Sequence, residues 1–219
     1  MIYIAIPTYD GKLSHPTVGG LLEAQHHLTK HGMGMAVDII PHDAFIGRAR
    51  NLAVKRFLDS GADDLVFIDA DVGFTLQDFA MLCKQDVDIS SGVYCYKKDE
   101  PGFPVVYEQP IVRVGPRVRL ISCPGGFMRI RRKVFTRIME AEPDNQYYDN
   151  DHKTIYNFFR FGPSGSLWIG EDVGFCRLAR KHGFQIWGVE MNGLTHTGER
   201  TWNHKWHPVG NEAKNEEAA

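Results

Sequence analysis

The sequence lacks the features that mark several large classes of protein. Its formal net charge is only −2 over 219 residues, so the chain as a whole does not indicate a strongly basic nucleic-acid-binding protein, although local basic patches are compatible with it. No stretch reaches the roughly 18 apolar residues of a membrane span. The N-terminus has no basic segment followed by a long apolar run, so no signal peptide is predicted. There is also no internal repeat.

Cysteine is scarce, and its spacing excludes the common metal-binding and redox motifs. The four cysteines (Cys83, Cys95, Cys123 and Cys176) form no CxxC pair. This usage predicts reduced, mostly buried thiols in a cytoplasmic protein. With 43% hydrophobic residues, residues 1–209 are long enough to form one folded domain with a substantial core. Residues 210–219 are polar and acidic and are predicted to be a disordered tail.

One stretch, residues 65–74, organises the rest of the chain. Four apolar residues run directly into Asp69 and Asp71, which predicts a buried strand of a parallel sheet. Ligands of such sheets bind at the carboxyl ends of the strands, where side chains at i and i+2 point the same way. Two carboxylates placed together repel each other unless a cation lies between them, and a divalent cation suits oxygen ligands. The alternative is that both residues simply begin a turn and cap the next helix.

The surrounding pattern predicts an α/β fold with a mostly parallel central sheet flanked by helices. Strands and helices alternate through the first 84 residues, which favours parallel strands joined by right-handed crossovers. Short apolar pieces between residues 104 and 122 predict a small antiparallel portion. Residues 142–167 are predicted to be a long irregular stretch rich in aromatic residues, and loops of that length are commonly functional. Strands are predicted at 2–6, 35–40, 87–94, 125–130 and 185–189, and helices at 17–30, 44–59, 75–84, 131–139 and 171–182.

Three other groups of polar residues have both a functional and a structural interpretation. Glu171 and Asp172 open an amphipathic helix, where the helix dipole alone favours acidic residues, but either could also act as a general base. His196 follows the last predicted strand and is either a structural histidine or a metal ligand. Arg48 and Arg50 lie on the second helix, as a solvated face or as a binding site for phosphate.

The order and spacing of these groups resemble the nucleotide-sugar glycosyltransferases of GT-A fold, especially glycosyltransferase family 2. The resemblance extends over nearly the whole chain, from residue 2 to about residue 198. The segments that carry it are 5–8 (Ala-Ile-Pro-Thr), 49–51 (Ala-Arg-Asn), 67–71 (the Asp-x-Asp stretch), 125–135 (Gly-Gly-Phe-Met-Arg-Ile-Arg-Arg-Lys-Val-Phe), 171–172 (Glu-Asp) and His196.

This resemblance implies a GT-A-like, Rossmann-like fold and a metal-dependent, hexosyltransferase-like enzyme. Such an enzyme moves a sugar from a nucleoside-diphosphate sugar, most commonly a UDP-sugar, to a hydroxyl acceptor. It implies that Asp172 is the catalytic base, with Glu171 as the second candidate. The implied donor-binding residues are Pro7, Thr8, Tyr9, Arg50, Asn51, Asp69, Gly125 and Gly126. The implied ligands of a Mn²⁺ or Mg²⁺ ion are Asp69, Asp71 and His196.

The acceptor stays open at this stage, and a glycan, a lipid-linked sugar, a protein or a modified nucleic-acid base are all compatible with the sequence. We predict that the aromatic stretch at 147–168, together with 201–207, shapes the acceptor pocket. The alternative is that these aromatic side chains form a satellite of the hydrophobic core.

Other interpretations of the Asp-x-Asp stretch make different predictions. An EF-hand loop starting at Asp69 would need Gly and Glu where Phe74 and Ala80 stand, so it is excluded. A phosphohydrolase of the haloacid-dehalogenase type would use Asp69 as a phosphorylated nucleophile. That family normally has Thr or Val at the position of Gly73 and carries its motif on the first strand. A non-catalytic module that binds nucleotide sugars or carbohydrate is the remaining alternative.

Overall fold

The computed structural model describes residues 1–150 and 153–209, and the predicted tail at 210–219 lies outside these ranges. Five helices occur in the described part of the chain, and none of them has both the length and the hydropathy needed to cross a membrane. They are α1 (His15–Lys30), α2 (Ile46–Ser60), α3 (Leu76–Cys83), α4 (Arg132–Ala141) and α5 (Glu171–Lys181).

A nine-stranded mixed sheet forms the centre of the fold. Its order is β2-β1-β3-β9-β5-β14-β8-β6, with β7 paired to β8. The strands are β1 (Ile2–Thr8), β2 (Met35–Pro41), β3 (Asp64–Ile68), β5 (Ile89–Gly92), β6 (Val106–Tyr107), β7 (Arg113–Val114), β8 (Arg117–Ser122), β9 (Phe127–Arg131) and β14 (Ile186–Val189). Strands β1, β2, β3, β5 and β14 run in one direction, so their carboxyl ends share one edge.

Seven short strands pair outside the central sheet. They are β4 (Val72–Gly73), β10 (Gln146–Tyr148), β11 (Thr154–Tyr156), β12 (Gly162–Ser164), β13 (Leu167–Ile169), β15 (Thr195–Thr197) and β16 (Thr201–Trp202). Strand β15 pairs with both β4 and β16, whereas β10 pairs with β11 and β12 with β13. The β4–β15 pairing matters most for function, because it brings the segment after β14 against the Asp-x-Asp loop.

Each face of the central sheet has its own hydrophobic core. One core lies under α2, α4 and α5 and includes Phe57, Phe135 and Phe175. The other lies under α1 and α3 and includes Leu28 and Phe79. Because both faces of the sheet are covered, the central strands are buried on both sides, which explains why β3 has an unbroken apolar run instead of an alternating pattern.

Local sequence signals set several helix boundaries. Ser14 caps α1, its hydroxyl accepting a hydrogen bond from the Thr17 amide, and a proline stands in the first turn. Thr75 and Asp78 form a capping box at the start of α3. Gly61 ends α2 in the left-handed conformation with φ 74°. All four cysteines are free and three of them are buried, which agrees with the predicted reduced thiols.

The predicted α/β architecture is confirmed, but the sequence left the direction of one strand open, and one local prediction is wrong. Strand β9 runs antiparallel between β3 and β5, an insertion that the alternating pattern did not indicate. The stretch 142–167 is not irregular, because it contains the hairpins β10–β11 and β12–β13. Phe158 and Phe159 within it are 1% exposed and belong to the main core, as does Trp206 from the predicted acceptor-pocket tail. These aromatic residues therefore stabilise the fold.

Arg129 on β9 has a structural role within the Gly-Phe-Met-Arg-Ile segment. Its side chain is 1% exposed and forms an ion pair of 2.8 Å with Asp64. The guanidinium also donates to the carbonyl oxygens of Gln85 (2.7 Å) and Val87 (2.6 Å), and its Nε donates to the Ser90 hydroxyl at 3.4 Å. Each nitrogen of this buried guanidinium has a hydrogen-bond or ion-pair partner. Arg129 therefore fixes the start of β3 against the turn before β5.

We expect Arg129→Leu to lower the free energy of unfolding by about 3 kcal/mol, because it leaves a carboxylate and two carbonyl groups without their partner. Urea denaturation measures this change. Arg137→Ala, on the exposed face of α4, is the matched control and should shift stability by at most about 0.5 kcal/mol. Equal stability of the two variants would contradict a structural role for Arg129.

Candidate active site

The Asp-x-Asp loop follows β3 at the carboxyl edge of the sheet and is held by backbone hydrogen bonds from three separate elements. The Asp69 amide donates to the Gly126 carbonyl at 2.8 Å, and the Ser14 amide donates to the Ala70 carbonyl at 2.7 Å. The Thr197 amide on β15 donates to the Asp71 carbonyl, also at 2.8 Å. The two aspartates are therefore presented by a fixed backbone and not by a flexible turn.

Arg50 on α2 is the buried cation of this edge. Its side chain is 2% exposed, its Nη2 donates to Asp69 Oδ1 at 2.7 Å, and its Nε donates to Glu171 Oε1 at 3.3 Å. The guanidinium lies 5.0 Å from the centroid of the Phe67 ring. Burial opposes the charge of Arg50, but Asp69 and Glu171 together hold its pKa above the usual value. Arg50 is thus an anchor between two acidic segments, which excludes the solvated-face interpretation for this residue.

The neighbouring Arg48 differs from Arg50, since it is half exposed and pairs with Asp43 at 2.8 Å. Asn51 is buried, and its side chain contacts the segment before α5 and not the sheet edge. Its Nδ2 donates to Asn157 Oδ1 at 3.2 Å, while its Oδ1 accepts from the Phe159 amide at 2.9 Å. Both ends of the Asn51 amide are occupied within the protein, so the structure does not support the predicted donor-binding role of Asn51.

Tyr94 and Gly126 complete the surroundings of Asp69. The Tyr94 hydroxyl donates to Asp69 Oδ2 at 3.4 Å and accepts from the Gly126 amide at 3.2 Å. Burial, followed by the charge of Asp69, raises the pKa of Tyr94 well above its ordinary value, so its hydroxyl keeps its proton. A Cβ on Gly126 would lie 2.3 Å from Asp69 Oδ2 and 2.5 Å from the Tyr94 oxygen. Only glycine therefore lets Asp69 take this position.

Asp71 and His196 face each other across the β4–β15 pairing. The distance from His196 Nε2 to Asp71 Oδ2 is 3.6 Å. His196 Nδ1 lies 2.8 Å from the Cys95 carbonyl oxygen, a contact that requires Nδ1 to carry the proton. In the neutral ring, Nε2 then directs its lone pair toward the Asp71 carboxylate. Two acceptor groups aimed at each other form a suitable pair of ligands for a cation.

Lys97 supplies a cation at this position in the structure. Its Nζ makes a short ion pair with Asp71 Oδ2. Burial alone would raise the pKa of Asp71, but the Lys97 ammonium and the His196 ring in its protonated form lower it to about 2. Asp71 is consequently ionised at neutral pH and can act as an oxygen ligand.

The two acids at the start of α5 have different environments. Glu171 is held by Arg50, and its side chain is 16% exposed. Asp172 accepts a hydrogen bond at 2.7 Å from the Val173 amide and has no ion pair with any described residue. Burial, and then the neighbouring charge of Glu171, raises the pKa of Asp172. A carboxylate with a raised pKa is a better proton acceptor, which favours Asp172 over Glu171 as a general base.

The remaining predicted donor-binding residues lie around the same edge. Pro7 is buried at the end of β1, whereas Tyr9 is 75% exposed, so its ring is available to a ligand. The Thr8 hydroxyl donates to the Lys12 carbonyl oxygen at 3.0 Å and so fixes the loop after β1. A Cβ on Gly125 would lie 3.4 Å from the Arg50 guanidinium and 3.5 Å from the Asp172 Cβ. Gly125 therefore keeps open the space between these two residues.

Two of the three predicted metal ligands, Asp71 and His196, lie together in the structure. Asp71 and His196 offer one oxygen and one nitrogen ligand, which suits Mn²⁺ or Mg²⁺ if a ligand such as a diphosphate supplies the other oxygens. Asp69 has contacts within the protein, since Arg50 donates to one of its oxygens at 2.7 Å and the Tyr94 hydroxyl lies 3.4 Å from the other. Over the ranges 1–150 and 153–209, no group of three or more His, Cys, Asp or Glu side chains is arranged to hold a metal ion.

Sequence reasoning missed Tyr94 at this site, and for Lys97 it favoured a solvated basic face over phosphate binding. Both follow β5 at the carboxyl edge, and that position was the available signal, because parallel strands bring their carboxyl ends together. The segment that contains Tyr94 was predicted only to be part of a strand. The Tyr94 hydroxyl contacts Asp69 through tertiary packing, which no local pattern encodes.

Comparisons with known proteins support the fold. No family model and no curated protein sequence matches the chain. Among solved structures, A197 from STIV is 17% identical over 98% of this chain and 100% of A197, with a TM-score of 0.53. GalNAc-T7, crystallised with UDP, GalNAc and Mn²⁺, is 11% identical over 86% of this chain, with a TM-score of 0.51. This chain spans 42% of the length of GalNAc-T7.

At these identities the likeness concerns the backbone architecture. The mostly parallel sheet flanked by helices, with its small antiparallel portion, matches that of A197 over 98% and that of GalNAc-T7 over 86% of this chain. The chain has the GT-A fold.

Proposed function

We propose that this protein is a metal-dependent glycosyltransferase that moves a sugar from a UDP-sugar to a hydroxyl acceptor. The observation that carries the proposal is the arrangement of Asp71 and His196, in which a histidine of fixed tautomer directs its free nitrogen toward a carboxylate 3.6 Å away. This pair lies at the carboxyl edge of a GT-A sheet, next to Asp172. GalNAc-T7, which shares the fold, was crystallised with UDP and Mn²⁺.

The donor fits the open part of the edge. The exposed ring of Tyr9 would contact the nucleotide base, and Asp71 and His196 would hold a Mn²⁺ or Mg²⁺ ion with the diphosphate. Such an ion neutralises the negative charge that develops on the departing diphosphate. Arg50 Nη1 is buried and has no hydrogen-bond partner among the described residues. The space kept open by Gly125 lies beside this guanidinium and next to Asp172, which suits the donor sugar.

Asp172 would then act as the general base. In the transfer step, the acceptor oxygen forms a bond to the anomeric carbon while the bond from that carbon to the diphosphate breaks. The acceptor proton goes to Asp172, and the nucleoside diphosphate leaves with the bonding electron pair. This assignment applies to an enzyme that inverts the anomeric configuration; in a retaining enzyme Asp172 would hold the donor or the acceptor instead.

The alternatives have less support from the same geometry. A phosphohydrolase needs Asp69 as a free nucleophile, yet Arg50 binds one of its oxygens at 2.7 Å and Tyr94 contacts the other. In a non-catalytic module, the position of Asp172 without an ion-pair partner among the described residues would have no functional explanation. The cytoplasmic location remains a prediction from the four free cysteines, and one catalytic domain over residues 1–209 is part of the proposal.

We expect UDP with Mn²⁺ to raise the melting temperature of the wild-type protein. At about a hundredfold excess over Kd, ligand binding stabilises the folded state by about 2.7 kcal/mol, or roughly 5 to 10 °C for a chain of this size. Asp71→Asn and His196→Ala should lose this shift, whereas Asp59→Asn, an exposed carboxylate on α2, should keep it. A shift that is the same without Mn²⁺ and in Asp71→Asn would contradict the metal site.

The ion pair of Lys97 with Asp71 predicts competition with the metal. We expect Lys97→Ala to bind Mn²⁺ alone about two- to fivefold more tightly, because an exposed ion pair that must first break costs up to about 1 kcal/mol. Titration of free Mn²⁺ by electron paramagnetic resonance measures this affinity. Lys98→Ala is the matched control, because the Lys98 ammonium lies 5.1 Å from the Tyr96 ring centroid instead. Weaker Mn²⁺ binding by Lys97→Ala would show that Lys97 does not compete.

Asp172→Asn tests the catalytic assignment. We expect the rate of UDP release from a UDP-sugar to fall by about 10² to 10⁴, with the UDP–Mn²⁺ thermal shift retained. In the wild type, the rate should fall as acid protonates the base, with an apparent pKa above that of an ordinary aspartate, since burial and Glu171 raise it. Glu171→Gln should instead lower stability by removing a partner of Arg50. Unchanged turnover in Asp172→Asn would favour the binding-module alternative.

A further inference from the structure

A groove rich in arginine and lysine runs along α5, outside the donor site. Two adjoining cavities of about 420 and 450 Å³ share Arg177 and Lys181 as common lining residues. Arg160 lines the first cavity, whereas Arg119 and Arg180 line the second. We call the surface formed by these five side chains the basic groove. Arg177 and Lys181 are separated by one helical turn, so they lie on the same face of α5.

The charges of the basic groove are not balanced. Its five cations share two carboxylates: Glu108, which pairs with Arg119 and Arg180, and Glu142, which pairs with Arg160 and Lys181. Glu142 is also 2.9 Å from His182. Arg177 has no carboxylate partner within the described residues, and its Nη1 donates to the Ser164 hydroxyl at 2.8 Å. A chain with a net charge of −2 thus concentrates positive charge on one face.

Two exposed aromatic rings lie beside the basic groove: Phe161, just before β12, lines the first cavity, and Trp168 on β13 contacts Phe161 without lining either cavity itself. Trp168 is 72% exposed and Phe161 is 48% exposed, and their ring centroids are 6.4 Å apart. Phe161 also stacks on Phe45 at 6.4 Å with an interplanar angle of 15°. Phe161 and Ile169 line the same cavity as Arg160 and Arg177. Aromatic rings beside a positively charged groove are the combination that binds single-stranded nucleic acids.

We propose that the basic groove binds a single strand of nucleic acid, with phosphates on Arg177 and Lys181 and a base stacked on Trp168. The role of the groove as an acceptor site rests on the proposed function. Ile169 on the hairpin is only three residues before Asp172 in the sequence. A strand held along α5 would therefore present the hydroxyl group of a nucleotide to Asp172, the proposed general base, at the start of that helix. The strand is the acceptor polymer, and its binding requires neither donor nor metal.

The test is fluorescence anisotropy of a labelled oligothymidylate with the full-length protein between about 50 and 200 mM salt. Arg177→Ala should weaken binding and reduce the slope of log K against log salt by about 0.7, the value for one phosphate contact with a single strand. Trp168→Ala should weaken binding about tenfold at an unchanged slope, because stacking releases no counterion. Glu142→Gln should tighten binding several-fold, because it removes a carboxylate from the groove.

Matched controls separate this interaction from general charge attraction. Lys30→Ala removes an exposed cation from α1, on the opposite face of the sheet, and Tyr148→Ala removes an equally exposed ring outside the groove lining; both should bind like wild type. No binding by wild type, or equal loss in Lys30→Ala and Arg177→Ala, would overturn the proposal. Dextran sulfate bound as tightly as the oligonucleotide, without dependence on Trp168, would also overturn it.

The donor experiment distinguishes the two proposals. A protein that keeps its UDP–Mn²⁺ thermal shift but does not bind the oligonucleotide would leave the glycosyltransferase proposal standing and overturn the groove. A protein that binds the oligonucleotide through Arg177 and Trp168 but never responds to UDP would support the groove as a binding site while overturning its role in presenting an acceptor.

Discussion

The charge of Arg50, buried between Asp69 and Glu171, is the interaction on which the site depends. An unpaired charge with 2% exposure is prohibitively costly, and so is a pair of buried carboxylates without a cation. The three residues come from α2, the end of β3 and the start of α5. Their mutual neutralisation therefore fixes the relative positions of three elements that are distant in sequence, and it does so at the edge of the sheet where the ligand is expected.

Arg50 binds only one member of each of the two acidic pairs. In both Asp69–Asp71 and Glu171–Asp172, one carboxylate pairs with Arg50 and the other does not. The two carboxylates that do not pair with Arg50 differ in pKa for clear reasons. His196 and Lys97 lower the pKa of Asp71, which suits a metal ligand, whereas burial and Glu171 raise the pKa of Asp172, which suits a base. One buried cation thus permits two opposite electrostatic environments a short distance apart.

Much of the fold was predictable because its signals are local. The apolar run of β3, the capping box at Thr75 and the glycine after α2 each act within a few residues. The antiparallel insertion of β9 was not predictable in this way, because strand order is decided by tertiary pairing. The same distinction holds for the site. The acids and His196 were identifiable from their positions at strand and helix ends. The burial of Arg50 and the contacts of Tyr94 and Lys97 were not, because they depend on packing across the sheet edge.

The same limit applies to charge, because composition does not show where charges cluster. A net charge of −2 averages over the whole surface, whereas an anionic ligand responds to the potential within about a Debye length, roughly 8 to 10 Å. In the basic groove five cations share two carboxylates, and Arg177 has no carboxylate partner among the described residues. Helix α5 begins with two acidic residues and continues with cations of the basic groove. If Asp172 is the general base, as we propose, its charge would repel a negatively charged acceptor strand, and the cations further along the same helix would offset that repulsion.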